Sequence, residues 1–115
     1  NQEDANVIRA IADARKELEA AIDLITQALR QGGRLFYVGA GTSGRLGVLD
    51  AAECPPTFCT PPELVQGIIA GGAAALLRSS EQLEDQAEDG AEAIAHHDVT
   101  SQDVVVGITA GGTTP

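Results

Sequence analysis

The stretch "RLFYVGAGTSG", residues 34–44, decides the fold. Leu35 to Val38 form a short apolar run rich in strand formers, and the chain then passes straight into Gly39, Gly41 and Gly44. A brief strand, a tight turn and a helix start in immediate succession mark the opening of a parallel α/β unit. Two further runs, "LVQGIIAGG" (64–72) and "DVVVGITAGG" (103–112), are equally short, nearly continuous in apolar residues and glycine-terminated. All three are expected to be strands buried on both faces. Helical segments are expected near 43–53 and 73–95, with Pro55 ending the first of them by pushing Cys54 out of helical geometry. Before the first strand, Val7, Ile8, Ile11, Leu18, Ile22, Ile25 and Leu29 recur at helical spacing. They predict one long amphipathic helix over 4–31, stopped by Gly32 and Gly33. The order helix, β, α, β, α, β gives an α/β layered sandwich on a parallel sheet with right-handed crossovers.

The chain has 115 residues, a net charge of −10 and an isoelectric point near 4.3. Such an acidic surface argues against nucleic acid, whose binding draws on a surplus of Lys and Arg. No apolar run approaches the length that spans a bilayer, so no membrane partner and a cytoplasmic setting are expected. Cys54 and Cys59 have no second Cys pair or nearby His to complete a zinc site and are read as reduced structural thiols. No metal is expected. The chain begins at Asn1 without Met and ends on Thr113-Thr114-Pro115, which reads as a helix start, so both ends look cut.

In sheets of this kind ligands bind beyond the carboxyl ends of the strands, where the chain reverses direction across the sheet. The loops at 39–44 and 110–114 both leave carboxyl ends, and they share one crevice if the first and third strands are neighbours. Glycines at 39, 41 and 44 match a dinucleotide fingerprint, but the second strand ends Ile69-Ala70-Gly71-Gly72 without the acid that would hold a ribose. A P-loop is excluded by the absence of Gly-Lys-Ser/Thr. A phosphate carried by a small molecule suits backbone N–H groups at a helix start beside Thr42 and Ser43. The competing structural reading is a plain tight turn with Ser43 as N-cap.

Two carboxylates stand out. Glu53 follows Leu46 by seven residues and Leu49 by four, which in a helix puts it on their apolar face in the turn before Cys54-Pro55. Both circumstances favour its protonated form. In a helix over 73–95, Leu76, Leu83, Ala87, Ala91 and Ile94 gather on one side and Glu81, Asp85, Glu88, Asp89 and Glu92 on the other; Glu84 falls at the edge of the buried face. His96 and His97 receive no role. Of Arg34, Arg45 and Arg78, Arg45 at the helix entrance has the best claim to an ion pair or a ligand contact.

"GRLFYVGAGTSGRLGVLDAAECPPTF", "ELVQGIIAGG", "EQLED" and "DVVVGITAGGTTP" together resemble the N-acetylmuramic acid 6-phosphate etherase family, a branch of the sugar-isomerase (SIS) domain proteins. "LDAAECPPTF" is the discriminating segment, since general sugar isomerases share only the glycine-serine turn. The resemblance implies an SIS-type three-layer fold with flavodoxin-like strand order. It implies an N-terminal helix over 1–33 and the first part of the SIS domain over 34–115, with further strands beyond Pro115. It implies a cofactor-free lyase that cleaves the D-lactyl ether of N-acetylmuramic acid 6-phosphate to N-acetylglucosamine 6-phosphate and D-lactate in peptidoglycan recycling, working as a homodimer. By the same resemblance Glu53 and Glu84 are the catalytic pair, and Gly41, Thr42, Ser43, Gly44, Gly112, Thr113 and Thr114 bind the phosphosugar. The alternatives are a non-catalytic phosphosugar-binding or regulatory module and a phosphosugar isomerase. The chain departs from the family at Gly111 and Thr113, where the pattern has Ser and Arg, at Cys59, where it has Gly, and at Gln82-Leu83.

Overall fold

The computed structural model describes residues 1–79 and 87–115. Strands β1 (Leu35–Gly39), β2 (Val65–Ile69) and β3 (Val104–Ile108) form a fully parallel sheet in the order β2-β1-β3. The first strand is therefore central and pairs with both others, Gly39 lying opposite Ile69 on one side and Ile108 on the other. The three carboxyl ends sit level.

Helix α3 (Gly41–Phe58) covers one face of the sheet. Its inward surface is made of Gly44, Gly47 and Ala51, all buried. Residues this small let the helix lie so close that a Cβ added at Gly67 would stand 2.7 Å from the Cα of Val48. Beneath it Leu35, Ala51 and Val65 form the core, joined by half-buried Ile25, Leu29, Tyr37 and Cys54. On the opposite face Phe36 is completely buried. The Arg34 guanidinium stands 4.8 Å from the centre of its ring, and His97, just past α4 (Ala87–His96), meets it edge-on at 6.0 Å.

Several expectations are corrected. The long N-terminal helix is two helices, α1 (Gln2–Asp13) and α2 (Arg15–Arg30), interrupted at Ala14 without a Gly or Pro. Asn1 and Asp4 close a capping box on α1, while Ile25 and Leu29 of α2 reach the core. Helix α3 does not stop at Pro55: it runs through Pro55 and Pro56 to Phe58. Proline there removes the donors for the carbonyls of Ala51 and Ala52 alone. Packing of half-buried Cys54 on the core and a bond from the Cys59 N–H to the Pro55 carbonyl at 2.9 Å hold the last turn. The helix expected over 73–95 is not continuous, since Gly72–Leu76 is a 3-10 helix, Leu77, Arg78 and Ser79 are non-helical, and α4 begins at Ala87. Finally β3 is not buried on both faces. It has one described neighbour, and Val105 and Gly107 on its outer face are exposed.

Candidate functional site

The expected neighbour relation between β1 and β3 holds, and it brings the turn after β1 and the loop after β3 side by side. Between them lies a cavity of about 290 Å³ lined on one side by Ala40, Thr42 and Ser43 and on the other by residues of the loop after β3, including Thr109, Thr113 and Thr114. Ala40 is the N-cap of α3 and offers no side-chain acceptor, so among the described residues no side chain caps the first-turn amides of the helix. Ser43 is thus inside the first turn and is not the cap. An uncapped helix start beside hydroxyls is a ready site for an anion.

Gly41 enters the helix with φ +56°, in the left-handed region that favours glycine. Gly44 lies behind the cavity, where an added Cβ would stand 2.5 Å from the Gly39 carbonyl oxygen and 2.7 Å from Cγ1 of Ile69. Its role is close approach of helix to strand. Opposite, the Thr109 hydroxyl lies 3.3 Å from that of Thr114 and accepts a bond from the Gly112 N–H at 3.4 Å. The structure therefore brings together Thr42, Ser43, Thr113 and Thr114 in the cavity wall, which Gly41, Gly44 and Gly112 adjoin in the chain without lining it. Thr109 was missed by the sequence reading, although a Thr directly after the apolar run of β3 was a usable signal.

Glu53 is exposed, as are Leu46 and Leu49, so the apolar face assigned to it is not the buried one. The inward face is chosen by the small residues, and the large leucines point away. Because α3 continues to Phe58, Glu53 is also not in its last turn. A helix rises about 1.5 Å per residue, which puts Glu53 about 15 Å along α3 from Ser43. Glu53 is not part of the cavity wall. Glu84 lies outside the described residues.

Three polar clusters lie outside the cavity wall. The Asp103 carboxylate, 3% exposed, accepts from the Arg34 guanidinium at 2.9 Å, from the Arg34 backbone N–H at 2.8 Å and from the Thr100 N–H at 2.9 Å. Chiefly through the Arg34 side-chain bond, its pKa is held down at about 2. The Tyr37 hydroxyl donates to Asp50 at 2.7 Å, and burial followed by that bond pushes its pKa up to about 12. Burial, then the Asp50 charge, also raises the Cys54 thiol. Arg45, expected at an ion pair or ligand, instead donates through Nε to the Ala75 carbonyl at 3.0 Å, with Nη2 3.5 Å from the Ser79 hydroxyl.

Among known proteins, the model of the glucokinase regulatory protein N-terminal SIS domain matches residues 17–115. Across all 115 residues the chain is 76% identical to N-acetylmuramic acid 6-phosphate etherase of Gloeothece citriformis, 75% identical to that of Trichodesmium erythraeum and 76% identical to that of Microcystis aeruginosa. It spans 38% of the length of each of these relatives. Among the described residues no helix is long and apolar enough to cross a membrane.

Proposed function

The chain belongs to the family of the glucokinase regulatory protein N-terminal SIS domain, and from that premise we propose that it is the phosphosugar-binding part of a cytoplasmic N-acetylmuramic acid 6-phosphate etherase. The observation that carries the reading is the cavity between two Gly/Thr turns, one of them an uncapped helix start, on a chain 76% identical to an etherase. The phosphate of the sugar is received by the first-turn amides of α3 and the hydroxyls of Thr42 and Ser43, with Gly112, Thr113 and Thr114 closing the other side.

Glu53 and Glu84 supply the chemistry. An alkoxide is a poor leaving group, so one carboxylic acid protonates the departing lactyl oxygen at C3. The other, as carboxylate, removes the C2 proton of the open-chain aldehyde, and water adds back to the resulting double bond. No cofactor is called for, because two acids in opposite protonation states suffice. With Glu53 exposed, burial no longer argues that it is the acid of the pair, and solvent exchange assigns the roles: the variant that loses deuterium incorporation at C2 lacks the base. An axial separation of about 15 Å between Glu53 and Ser43 is one that a sugar phosphate and two side chains span together. The protein works as a homodimer, and complementation between variants tests whether Glu53 serves its own cavity or its partner's.

The test is a chimera in which residues 1–115 replace the matching segment of the Gloeothece citriformis relative, assayed for D-lactate release from N-acetylmuramic acid 6-phosphate. Glu53→Gln and Glu84→Gln each lower kcat by about 10²-fold or more. Mixing the two inactive variants restores roughly a quarter of the activity if Glu53 acts across a twofold dimer, and none if both acids serve their own chain. A wild-type chimera that binds N-acetylglucosamine 6-phosphate but releases no lactate is a binding module, not an etherase.

A further inference from the structure

Thr109 directly follows β3 and lines the cavity together with Thr113 and Thr114. The loop turns back at Gly112, whose φ of +70° lies in the left-handed region. There the Gly112 N–H donates to Oγ1 of Thr109 at 3.4 Å, and Oγ1 of Thr109 stands 3.3 Å from that of Thr114. The first of these bonds fixes the direction of the second. A backbone N–H can only donate, so the Thr109 oxygen is its acceptor and the single Thr109 proton is left for Thr114. Thr114 then accepts on its oxygen and keeps its own proton free for a third group. A phosphate dianion has only acceptors to offer, so a hydroxyl helps to hold it only when the hydroxyl proton points at it.

We propose that Thr109 is a positioning residue for phosphosugar binding: it turns the Thr114 hydroxyl into a donor aimed at the phosphate. The relay runs from the Gly112 N–H through Thr109 to Thr114 and on to the anion, each bond polarising the next. The proposal rests on the reading of this cavity as the receptor of the sugar phosphate, and it calls on neither catalytic acid. Both bonds are longer than is usual for amides and hydroxyls, so the effect is modest.

The test uses the full-length chimera. Thr109→Val keeps the shape of the side chain and removes the hydroxyl. It raises the Kd for N-acetylglucosamine 6-phosphate and the KM for lactate release about 3- to 10-fold, the worth of one modest hydrogen bond. It leaves kcat within about twofold, as loss of uniform binding does. The Ki of inorganic phosphate as a competitor rises by the same factor as the Kd, because the donor lost serves the phosphate and not the sugar. Thr109→Ser restores the hydroxyl and recovers most of the affinity. Thr114→Val loses at least as much as Thr109→Val, and the double variant loses no more than Thr114→Val alone, since Thr109 acts through Thr114.

Losses that multiply in the double variant would overturn the proposal in favour of separate phosphate contacts by each hydroxyl. So would wild-type affinity in a folded Thr109→Val variant, or a Thr109→Ser variant as weak as Thr109→Val, which would assign the role to the methyl group. Thr114→Val at wild-type affinity refutes the relay even should Thr109→Val fail to fold. A wild-type chimera that binds neither N-acetylglucosamine 6-phosphate nor inorganic phosphate removes the phosphosugar reading and the relay together. A wild type that binds both, with Thr109→Val indifferent, removes the relay alone.

Discussion

Gly44→Ala isolates how tightly the site is built onto the sheet. The added methyl would stand 2.5 Å from the Gly39 carbonyl oxygen and 2.7 Å from Cγ1 of Ile69. Ile69 has some freedom to turn aside, but the Gly39 oxygen already accepts the Ala70 N–H at 3.0 Å and anchors β1 to the end of β2. Relief therefore comes from moving the start of α3 outward by roughly 0.5–0.9 Å, against an interior packed like a crystal. Overpacking of this order costs about 1–3 kcal/mol, while alanine in place of glycine inside a helix gains about 1 kcal/mol. The net loss is about 0–2 kcal/mol, centred near 1 kcal/mol. Gly90→Ala makes the same chemical change inside α4, where an added Cβ meets nothing within 4 Å, and it collects the helix gain alone. Urea titration of both variants in the chimera reads the contrast as midpoints shifted in opposite directions. Because Thr42 and Ser43 move with the helix start, the Kd for N-acetylglucosamine 6-phosphate rises in Gly44→Ala and not in Gly90→Ala. Equal stability of the two variants, with equal ligand affinity, would refute the close-approach argument.

Other outcomes concern residues that hold the fold away from the cavity. The Asp103 pKa is depressed to about 2, so the stability it contributes is present above the ordinary carboxylate range and is lost as pH falls from about 4 through about 2. Asp103→Asn costs about 2 kcal/mol at neutral pH and flattens that acid limb in pH-dependent unfolding. Cys59 ends α3 at φ +55°, ψ +34°, a left-handed conformation that costs a residue with a Cβ about 1 kcal/mol. Cys59→Gly accordingly raises the denaturation midpoint by that amount, and Cys59→Val lowers it. Tyr37→Phe deletes the hydroxyl that bonds Asp50 and costs about 1 kcal/mol, with ligand affinity unchanged because the pair lies outside the cavity wall.

The strands and the meeting of the two loops were legible because strand periodicity and glycine position are local signals, and parallel pairing adds only a few topologies to choose among. The run 34–40 locates β1 within a residue at each end, and the placement of β3 beside β1 is the flavodoxin-like order that the resemblance implies. What failed was whatever depended on which face of a helix is inward. Leu46 and Leu49 are the most apolar residues of α3, yet they are exposed because Gly44, Gly47 and Ala51 allow closer packing and bury more of the sheet. Hydropathy counts side chains and not the approach distance that their absence permits. Glu53 went astray with those leucines. Pro55 misled for a related reason: the rule that proline ends a helix is a local preference, and Cys54 held against the core outweighs it. The Arg34–Asp103 clamp joins residues far apart in the chain, and no spacing rule announces such a pair.

The order β2-β1-β3 also sets a timetable. The central strand is made first, and its partner β2 arrives after the single helix α3, so β1, α3 and β2 form a compact unit of near neighbours in the chain. β3 closes a much longer loop, with a correspondingly larger entropy to repay before its first bond forms. The Arg34–Asp103 bond lies at the foot of that late pairing, where β1 and β3 begin. The sheet is thus expected to grow outward from its middle during synthesis. The cavity, whose second wall is the loop after β3, comes into being only with the last strand described.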